Sequence, residues 1–369
     1  MSEPLFDLTL TEEQRITREA MRRFAQQELK PIARAADESA AAPEGFYQKT
    51  MALGLTILPI PEHLGGAGEP RSPIANMLNG EDLGYGDMSL AIGALTPLTF
   101  VNTLLDNATE EQQEQFLTPM ADEAFKAATI AFMEPRATFS ARTLATKARK
   151  EGSSYVLNGV KTMVPLADTS EQILVIATVE GEGVCGFVVP AGADGLVVES
   201  EPFMGLRPLS LGRVTLQDVA VPAAARIGSE DQPFALQRFQ DLASLGLCAT
   251  AVGCCQAVLD YVVPYVNERV AFGEPISNRQ SVAFMVADMA IELDAMRLMV
   301  YRAASRAEQG LSFHREACQA RLICGQRSME IGTNGVQLLG GHGFIREHPV
   351  EMWYRNLRAV GILQGVAVI

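Results

Sequence analysis

The stretch YVNERVAFGEPISNRQSV, residues 265–282, decides the fold because it lies between two long segments of helical character. Residues 237–268 and 281–308 each carry a helical pattern over far more than the average of about 11–12 residues for a globular helix. Helices of such length are typical of a bundle. The stretch therefore marks a turn within a predicted C-terminal four-helix bundle of long helices, residues 231–369.

Before residue 228 the pattern changes to short, β-branched segments bounded by Gly, Asp or Pro. Examples are SYVLNGVKTMV at 154–164, QILVIATV at 172–179 and RVTLQDVAV at 213–221. Segments of this kind at such intervals predict a small antiparallel β-barrel or sandwich domain, residues 127–230.

Residues 9 to about 125 have helical periodicity. Thr11 followed by two acidic residues marks the start of a helix that runs through Arg22 to Leu29. Further helices are predicted over residues 72–85 and 110–120. The fold class is therefore α+β, with an N-terminal all-α domain at 1–126, a middle β-domain and a C-terminal helical bundle.

Composition excludes several classes of protein. With 369 residues the chain is long enough for two or three domains, and its formal net charge of −14 argues against nucleic acid or an anionic membrane as the main partner. The acidic N-terminus is unlike a signal peptide, and no run of about 18 apolar residues predicts insertion into a membrane. The six cysteines form no CxxC pair and the four histidines are not spaced as metal ligands, so we expect a cytoplasmic chain with reduced thiols and no metal.

Seven strings, in this order, resemble the acyl-CoA dehydrogenase family over almost the whole chain. They are LTEEQ at 10–14, GLTILPIPEHLGGAG at 54–68, residues 108–135, 154–164, 205–222 and 265–282, and VQLLGGHGFIREHPVEMWYRNLR at 336–358. The resemblance implies an FAD flavoprotein, usually a tetramer, that oxidises acyl-CoA thioesters between the α and β carbons. In this family a carboxylate removes the α-proton, the β-hydrogen leaves as hydride to the flavin, and a separate flavoprotein accepts the electrons.

The catalytic carboxylate of that family is missing from its usual positions. Most members read I-Y-E-G-T where this chain has ILQGV at 362–366, so Gln364 occupies the position of the base. A carboxamide cannot hold a proton at accessible pH. Some members carry the base on the first long C-terminal helix, where this chain has Ala243. The nearby Asp241 points about 200° away on a helix, so we predict a surface or hydrogen-bonded acid, and no catalytic residue is assigned.

The own-side cleft, where the family places the flavin ring of each subunit, has lost polar and aromatic groups. The family string T-E-P-x-A-G-S-D reads MEPRATFS at 133–140, with Met133 and Phe139 in place of Thr and Ser. The string W-I-T reads MVP at 163–165, so Met163 replaces the aromatic residue and Pro165 has no N–H to donate. The alternative is ordinary divergence of a cleft that still binds FAD through its backbone.

The donated half, which the family offers to the FAD of an adjacent subunit, is complete. It consists of Arg269, Phe272, Gln280, Gln337, Gly340 and Gly341. The resemblance implies that Arg269 binds the pyrophosphate and Phe272 packs on the adenine end, while the glycines allow close approach. The alternative is that Arg269 pairs with an acid and the glycines only turn the chain. His342, inside the same turn, is predicted to face solvent or a partner.

Three functions follow from these two halves. In the first, the chain completes the FAD site of a second, Glu-bearing acyl-CoA dehydrogenase-like chain in a hetero-oligomer. It would then resemble the non-catalytic-type subunit of heteromeric steroid side-chain acyl-CoA dehydrogenases, which implies a steroid-type acyl-CoA. In the second, it is a self-sufficient homotetrameric dehydrogenase of acyl-CoA or acyl-carrier-protein thioesters. In the third, it is a non-redox acyl-CoA-binding scaffold, since fold alone does not establish chemistry.

Overall fold

Helices occupy both ends of the chain and a sheet lies between them in the computed structural model, which describes residues 9–229 and 231–369. This order confirms the predicted α+β fold class. Residues 1–8, on which the expectation of no signal peptide was based, lie outside the described residues. The proposed domain boundaries after residues 126 and 230 stay a prediction.

The N-terminal part is helical, as predicted. Its helices are α1 Glu12–Phe24, α2 Ala33–Ser39, α3 Phe46–Thr50, α4 Pro73–Gly86, α5 Met88–Asn107 and α6 Glu110–Leu117. Thr11 accepts a hydrogen bond from the Gln14 amide and the Gln14 side chain accepts one from the Thr11 amide, so the predicted helix start is a complete capping box. A π-helical turn, Ala25–Leu29, continues α1. Helix α5 was not predicted, because a helix buried on all sides has no polar face to give it a period.

A single sheet forms the middle of the chain. Its strands are β1 Ala128–Ala131, β2 Lys147–Glu151, β3 Ser154–Val164, β4 Gln172–Val179, β5 Gly183–Pro190, β6 Leu196–Ser200, β7 Gly212–Pro222 and β8 Arg226–Ile227. The order is β6-β7-β3-β2-β4-β5-β8, with β1 beside β4. The predicted antiparallel arrangement needs a correction, since β1 and β2 both pair with β4 in parallel. Residue patterns within a strand do not reveal the direction of a neighbour that arrives by a long connection.

The C-terminal part is the predicted bundle of long helices. It contains α7 Leu236–Glu268, α8 Gln280–Glu308, α9 His314–Leu338 and α10 Val350–Leu357. The stretch at 265–282 ends α7, forms a short hairpin of β9 Val270–Ala271 and β10 Glu274–Pro275, and begins α8. Phe272 and Gly273 both have positive φ angles, 57° and 88°, and make the hairpin turn.

Helices α5 and α7 connect the two helical parts through the core. Both are long and apolar enough to cross a membrane by length and composition, but 94% and 83% of their apolar windows are buried inside the protein. Such burial is typical of core helices. Helix α7 packs closely on α4, where a Cβ on Gly253 would lie 1.9 Å from the Glu81 carbonyl oxygen. Packing in the core therefore fixes the position of α7. Residues of both the donated half and the own-side cleft lie on this helix or at its end.

Candidate cofactor site

A cavity of about 570 Å³ lies between the β9–β10 hairpin and the end of α9. Five of the six residues of the donated half line it: Arg269, Phe272, Gln337, Gly340 and Gly341. Gln280 is the exception, since it begins α8 between the lining residues Arg279 and Ser281 without contributing to the lining itself. Residues that are up to 72 positions apart in sequence thus surround one space, as a common ligand requires.

Arg269 is exposed at the C-terminal end of α7. In the part of the chain that the structure describes, its guanidinium has no carboxylate within ion-pairing distance. This excludes, for the described residues, the alternative that Arg269 is kept for an ion pair with an acid. An unpaired guanidinium at the edge of a cavity is a donor for phosphate or carboxylate oxygens.

Phe272 presents an apolar ring to the same cavity and is 94% exposed. The Arg279 guanidinium lies 5.3 Å from the centre of that ring and 3.6 Å from a carboxylate oxygen of Glu274. The Arg279 cation thus contacts one side of the Phe272 ring, and the rest of the ring is exposed. An exposed, supported aromatic ring is suited to stacking on a flat heterocycle such as adenine.

The glycine turn after α9 leaves space at the floor of the cavity. Gly340 has a φ of +58°, and a Cβ added at Gly340 or Gly341 would meet no atom within 4 Å. His342 also lines the cavity, and its Nδ1 is 2.8 Å from the Tyr265 hydroxyl. The sequence did not place His342 in this cavity, because the cavity forms only where the turn after α9 meets the end of α7. The cavity combines cations, an aromatic ring and free backbone.

The own-side cleft is filled by aromatic side chains. Phe132 is fully buried, and its ring centre lies 5.3 Å from that of Phe139 and 5.2 Å from that of Phe239, both edge to face. Met133 is buried beside this cluster, and Met163, at a φ of 54°, packs on the core. The positions at which the family resemblance places the flavin ring therefore pack as a hydrophobic cluster.

Residues 363–369 run beside this cluster, and all of them except Gln364 are buried. The Gln364 amide is 3.2 Å from the Met133 sulfur, and a Cβ on Gly365 would lie 2.6 Å from the Phe132 ring. The following residues, Val366 to Ile369, are all buried, with exposures of 2–3%. The segment after the predicted base position is therefore an internal part of the protein.

Polar contacts hold this segment between α5 and α7. Asn102 donates to the Val368 carbonyl at 3.0 Å, and the Val368 amide donates to the Thr99 hydroxyl at 3.0 Å. Opposite them, a Cβ on Gly246 of α7 would lie 1.7 Å from the Ala367 carbonyl oxygen, so only glycine fits there. Both positions at which the resemblance places the base lie here, since Gln364 belongs to the segment and Ala243 to α7.

No carboxylate stands at either base position. Gln364 is exposed, and Ala243 is 2% exposed within α7. Asp241 is buried rather than on the surface, and it accepts a hydrogen bond from Gln237 and lies 3.0 Å from His314 Nδ1. The prediction of a hydrogen-bonded acid is thus confirmed, and the surface alternative is wrong.

Glu134, next to Met133, is also engaged. It accepts hydrogen bonds from the amides of Ala145 and Thr146 at 2.7 and 2.8 Å, and the buried Lys161 ammonium lies 3.2 Å away. Burial acts to raise the pKa of Glu134, but these amides and the charge of Lys161 lower it below its ordinary value. Glu134 is an ionised structural acid, and its oxygens have no free direction toward a substrate.

Comparison with known proteins agrees with this fold. Family models for the N-terminal, middle and C-terminal domains of acyl-CoA dehydrogenases match residues 11–124, 129–219 and 235–369. The chain is 30% identical to the rat short-chain specific acyl-CoA dehydrogenase over 98% of its own length and 88% of that protein. It belongs to the acyl-CoA dehydrogenase family.

Solved structures of this family superpose closely on the chain. Butyryl-CoA dehydrogenase from Megasphaera elsdenii has a TM-score of 0.88 at 28% identity, covering 96% of this chain and 95% of that one. The FAD complex of PigA has a TM-score of 0.89 at 24% identity and 97% and 95% coverage, and shows the shared fold. The family prediction, with FAD-dependent oxidation of acyl-CoA-type substrates as its class, is confirmed.

The residues present fit FAD in only one of the two halves. The donated half offers a cation, an aromatic ring and open glycines around a cavity, which matches a pyrophosphate and an adenine. The own-side cleft offers Phe132, Phe139 and the segment 363–369 where a flavin ring would lie. This chain therefore fits the adenosine-diphosphate end of the cofactor and does not fit the ring end.

Proposed function

We propose that this chain is a subunit of a heteromeric acyl-CoA dehydrogenase in which it completes the FAD site of a Glu-bearing partner chain. The proposal rests on the contrast between the two halves of the flavin site. The donated half surrounds an open cavity, whereas the own-side cleft is filled by its own side chains. The partner would own the isoalloxazine cleft and the base, and this chain would supply Arg269, Phe272, Gln337 and the two glycines.

The surface beside the donated half supports contact with another chain. Phe272 and Phe344 are 94% and 89% exposed, so most of each aromatic ring is available for contact with another chain. Helix α8 adds Phe284, Ile291 and Leu298, which recur every seven residues and are all exposed. Contiguous exposed apolar residues on a helix mark an interface. The hetero-oligomer that we propose would cover this helix and close the cavity over the cofactor.

The proposed reaction is the acyl-CoA dehydrogenation of the family. It is divided between two chains because this chain lacks the carboxylate base. Bound FAD supplies the hydride acceptor, and the partner's carboxylate would remove the α-proton of the acyl-CoA thioester. The part of this chain is to bind and orient the adenosine-diphosphate end through Arg269 and Phe272. A bulky acyl group of the steroid side-chain type and a separate flavoprotein as electron acceptor belong to the same proposal.

Co-expression tests the proposal. The chain is purified alone and together with an acyl-CoA dehydrogenase-like chain, encoded by an adjacent gene, that carries Glu in I-Y-E-G-T. We expect the isolated chain to lack the flavin absorption spectrum. The complex should be yellow, hold fewer FAD molecules than subunits, and bleach on addition of an acyl-CoA from a panel that includes a steroid-type thioester.

Two results would contradict the proposal. Stoichiometric FAD and flavin reduction in the isolated chain would identify a self-sufficient homotetramer. Thermal stabilisation by acyl-CoA alone, with no effect of FAD in the presence or absence of the second chain, would identify a non-redox binding protein.

A further inference from the structure

Three metal-ligating side chains meet where the first turns of α7 approach the start of α9. Asp241 comes from α7, and His314 and Cys318 come from α9. One ligand atom of each lies within 4.8 Å of the other two. None of the three lines the donated half or belongs to the aromatic cluster of the own-side cleft. The sequence pattern does not reveal this cluster, because Asp241 is 73 positions away from His314 in the chain.

Two of the three ligand separations are close to those of a tetrahedral site. His314 Nδ1 is 3.0 Å from Asp241 Oδ1, and Cys318 Sγ is 3.7 Å from His314 Nδ1. Around a tetrahedral zinc ion, with bonds of about 2.1 Å to N and O and about 2.3 Å to S, these separations are about 3.4 and 3.6 Å. The thiol also lies 3.8 Å from Nε2, so the exposed His314 and Cys318 side chains, one turn apart on α9, rotate to bring the three ligand atoms around one ion.

A neighbouring side chain orients Asp241, whereas His314 and Cys318 are accessible to solvent. Gln237 donates to Asp241 Oδ1 at 3.1 Å, and the Asp241 side chain is only 8% exposed. His314 is 52% exposed and Cys318 is exposed. A buried, oriented carboxylate with a neighbouring donor is the arrangement that fixes metal ligands in proteins. The exposed side provides an entry path and a fourth position for water.

We propose that Asp241, His314 and Cys318 bind one Zn²⁺ ion. A set of one carboxylate, one imidazole and one thiolate selects Zn²⁺ over Mg²⁺ and Ca²⁺, which prefer oxygen ligands. His314 binds through Nδ1 as the neutral imidazole, so the Nδ1 proton that faces Asp241 in the metal-free protein leaves to solvent and the ring carries its proton on Nε2. The thiol of Cys318 loses its proton to solvent on binding, and the Asp241–His314 contact is replaced by two bonds to the metal.

Coordination of the thiolate releases the thiol proton, so binding of one ion liberates a proton from Cys318. The ion would connect the N-terminal turns of α7 and α9. The site does not depend on the proposed function, because none of its ligands belongs to either half of the flavin site.

Titration of the metal-free full chain with Co²⁺ tests the proposal. We expect one Co²⁺ per chain, with an intense thiolate-to-metal absorption band and visible bands of tetrahedral geometry, and displacement of Co²⁺ by Zn²⁺. Cys318→Ser abolishes the thiolate band, and its exposed position leaves folding intact. His314→Ala weakens Zn²⁺ binding more than Gln237→Ala, which weakens it about 10- to 100-fold by releasing Asp241. His63→Ala, at an exposed histidine elsewhere, changes nothing.

Three results would overturn it. These are a Co²⁺ spectrum without a thiolate band, a band that persists in Cys318→Ser, and equal affinities for His314→Ala and His63→Ala. Any of them would show that Asp241, His314 and Cys318 do not bind one ion together. Because the readout is the metal spectrum of the isolated chain, the outcome is separate from the FAD and acyl-CoA experiments.

Discussion

The donated half and the own-side cleft contain similar residue types used in opposite ways. Each has a phenylalanine, an arginine and glycines. In the donated half Phe272 is 94% exposed and Gly341 faces open space. In the own-side cleft Phe132 is fully buried and Gly246 faces a carbonyl oxygen of the segment 363–369. The difference shows that the first half is shaped for a ligand and the second for packing.

Replacing the two phenylalanines should give the largest contrast. Phe132→Ala removes a buried ring and should lower the free energy of unfolding by about 3–5 kcal/mol. Phe272→Ala removes an exposed ring and should change it by less than about 0.5 kcal/mol. Denaturant unfolding of the two variants measures both values. Equal destabilisation would mean that Phe272 is also a packing residue.

The reverse contrast is expected for ligand binding. Arg269→Ala should weaken binding of ADP or FAD to the hetero-oligomer about 10- to 100-fold, because hydrogen bonds to charged groups contribute about 1.5–3 kcal/mol. Arg136 in the own-side string is the matched control; it is also exposed and donates to the Thr143 carbonyl. Calorimetric titration of Arg136→Ala should give the unchanged affinity. A similar loss for both arginines would point to a general charge effect.

The glycines separate the two halves in another way. Gly246→Ala forces the Ala367 carbonyl away and should cost about 1–3 kcal/mol of stability as an overpacked contact. It should also increase the rate at which proteases cleave within residues 363–369. Gly341→Ala meets no atom within 4 Å and should fold normally, but it should weaken FAD binding in the complex. Unaltered proteolysis of Gly246→Ala would contradict the observed position of the segment.

The donated half was predictable from sequence because its residues lie in two continuous strings, each of which forms a local turn. The long helices and the Thr11 capping box were predictable for the same reason. The filling of the own-side cleft was not, since it depends on contacts such as Asn102 with Val368, 266 positions apart. A string shows that a polar group has been lost but not which side chain now occupies its space.

The own-side cleft should also be sensitive to acid. Because the pKa of Glu134 is lowered in the folded protein, its contribution is complete above the ordinary value of 4.5 and is lost as the pH falls through the folded value. Stability measured by urea unfolding should therefore decrease on acidification in that window. The slope should be smaller in Glu134→Gln, which has no carboxylate to protonate. An identical slope in both proteins would assign the acid sensitivity to other carboxylates.

The smallest effect on FAD binding and reduction is expected at Gln364, the position at which the family has its catalytic Glu. Gln364→Glu places a carboxylate at the family's base position, yet the flavin and the acyl chain would still meet Phe132, Phe139 and residues 363–369 in that cleft. The isolated variant should therefore neither bind FAD nor bleach it with acyl-CoA, and the complex should keep its activity. Absorption spectra of both samples measure this. Flavin reduction by the isolated variant would show that the missing carboxylate alone, and not the packing of the cleft, prevents this chain from acting by itself.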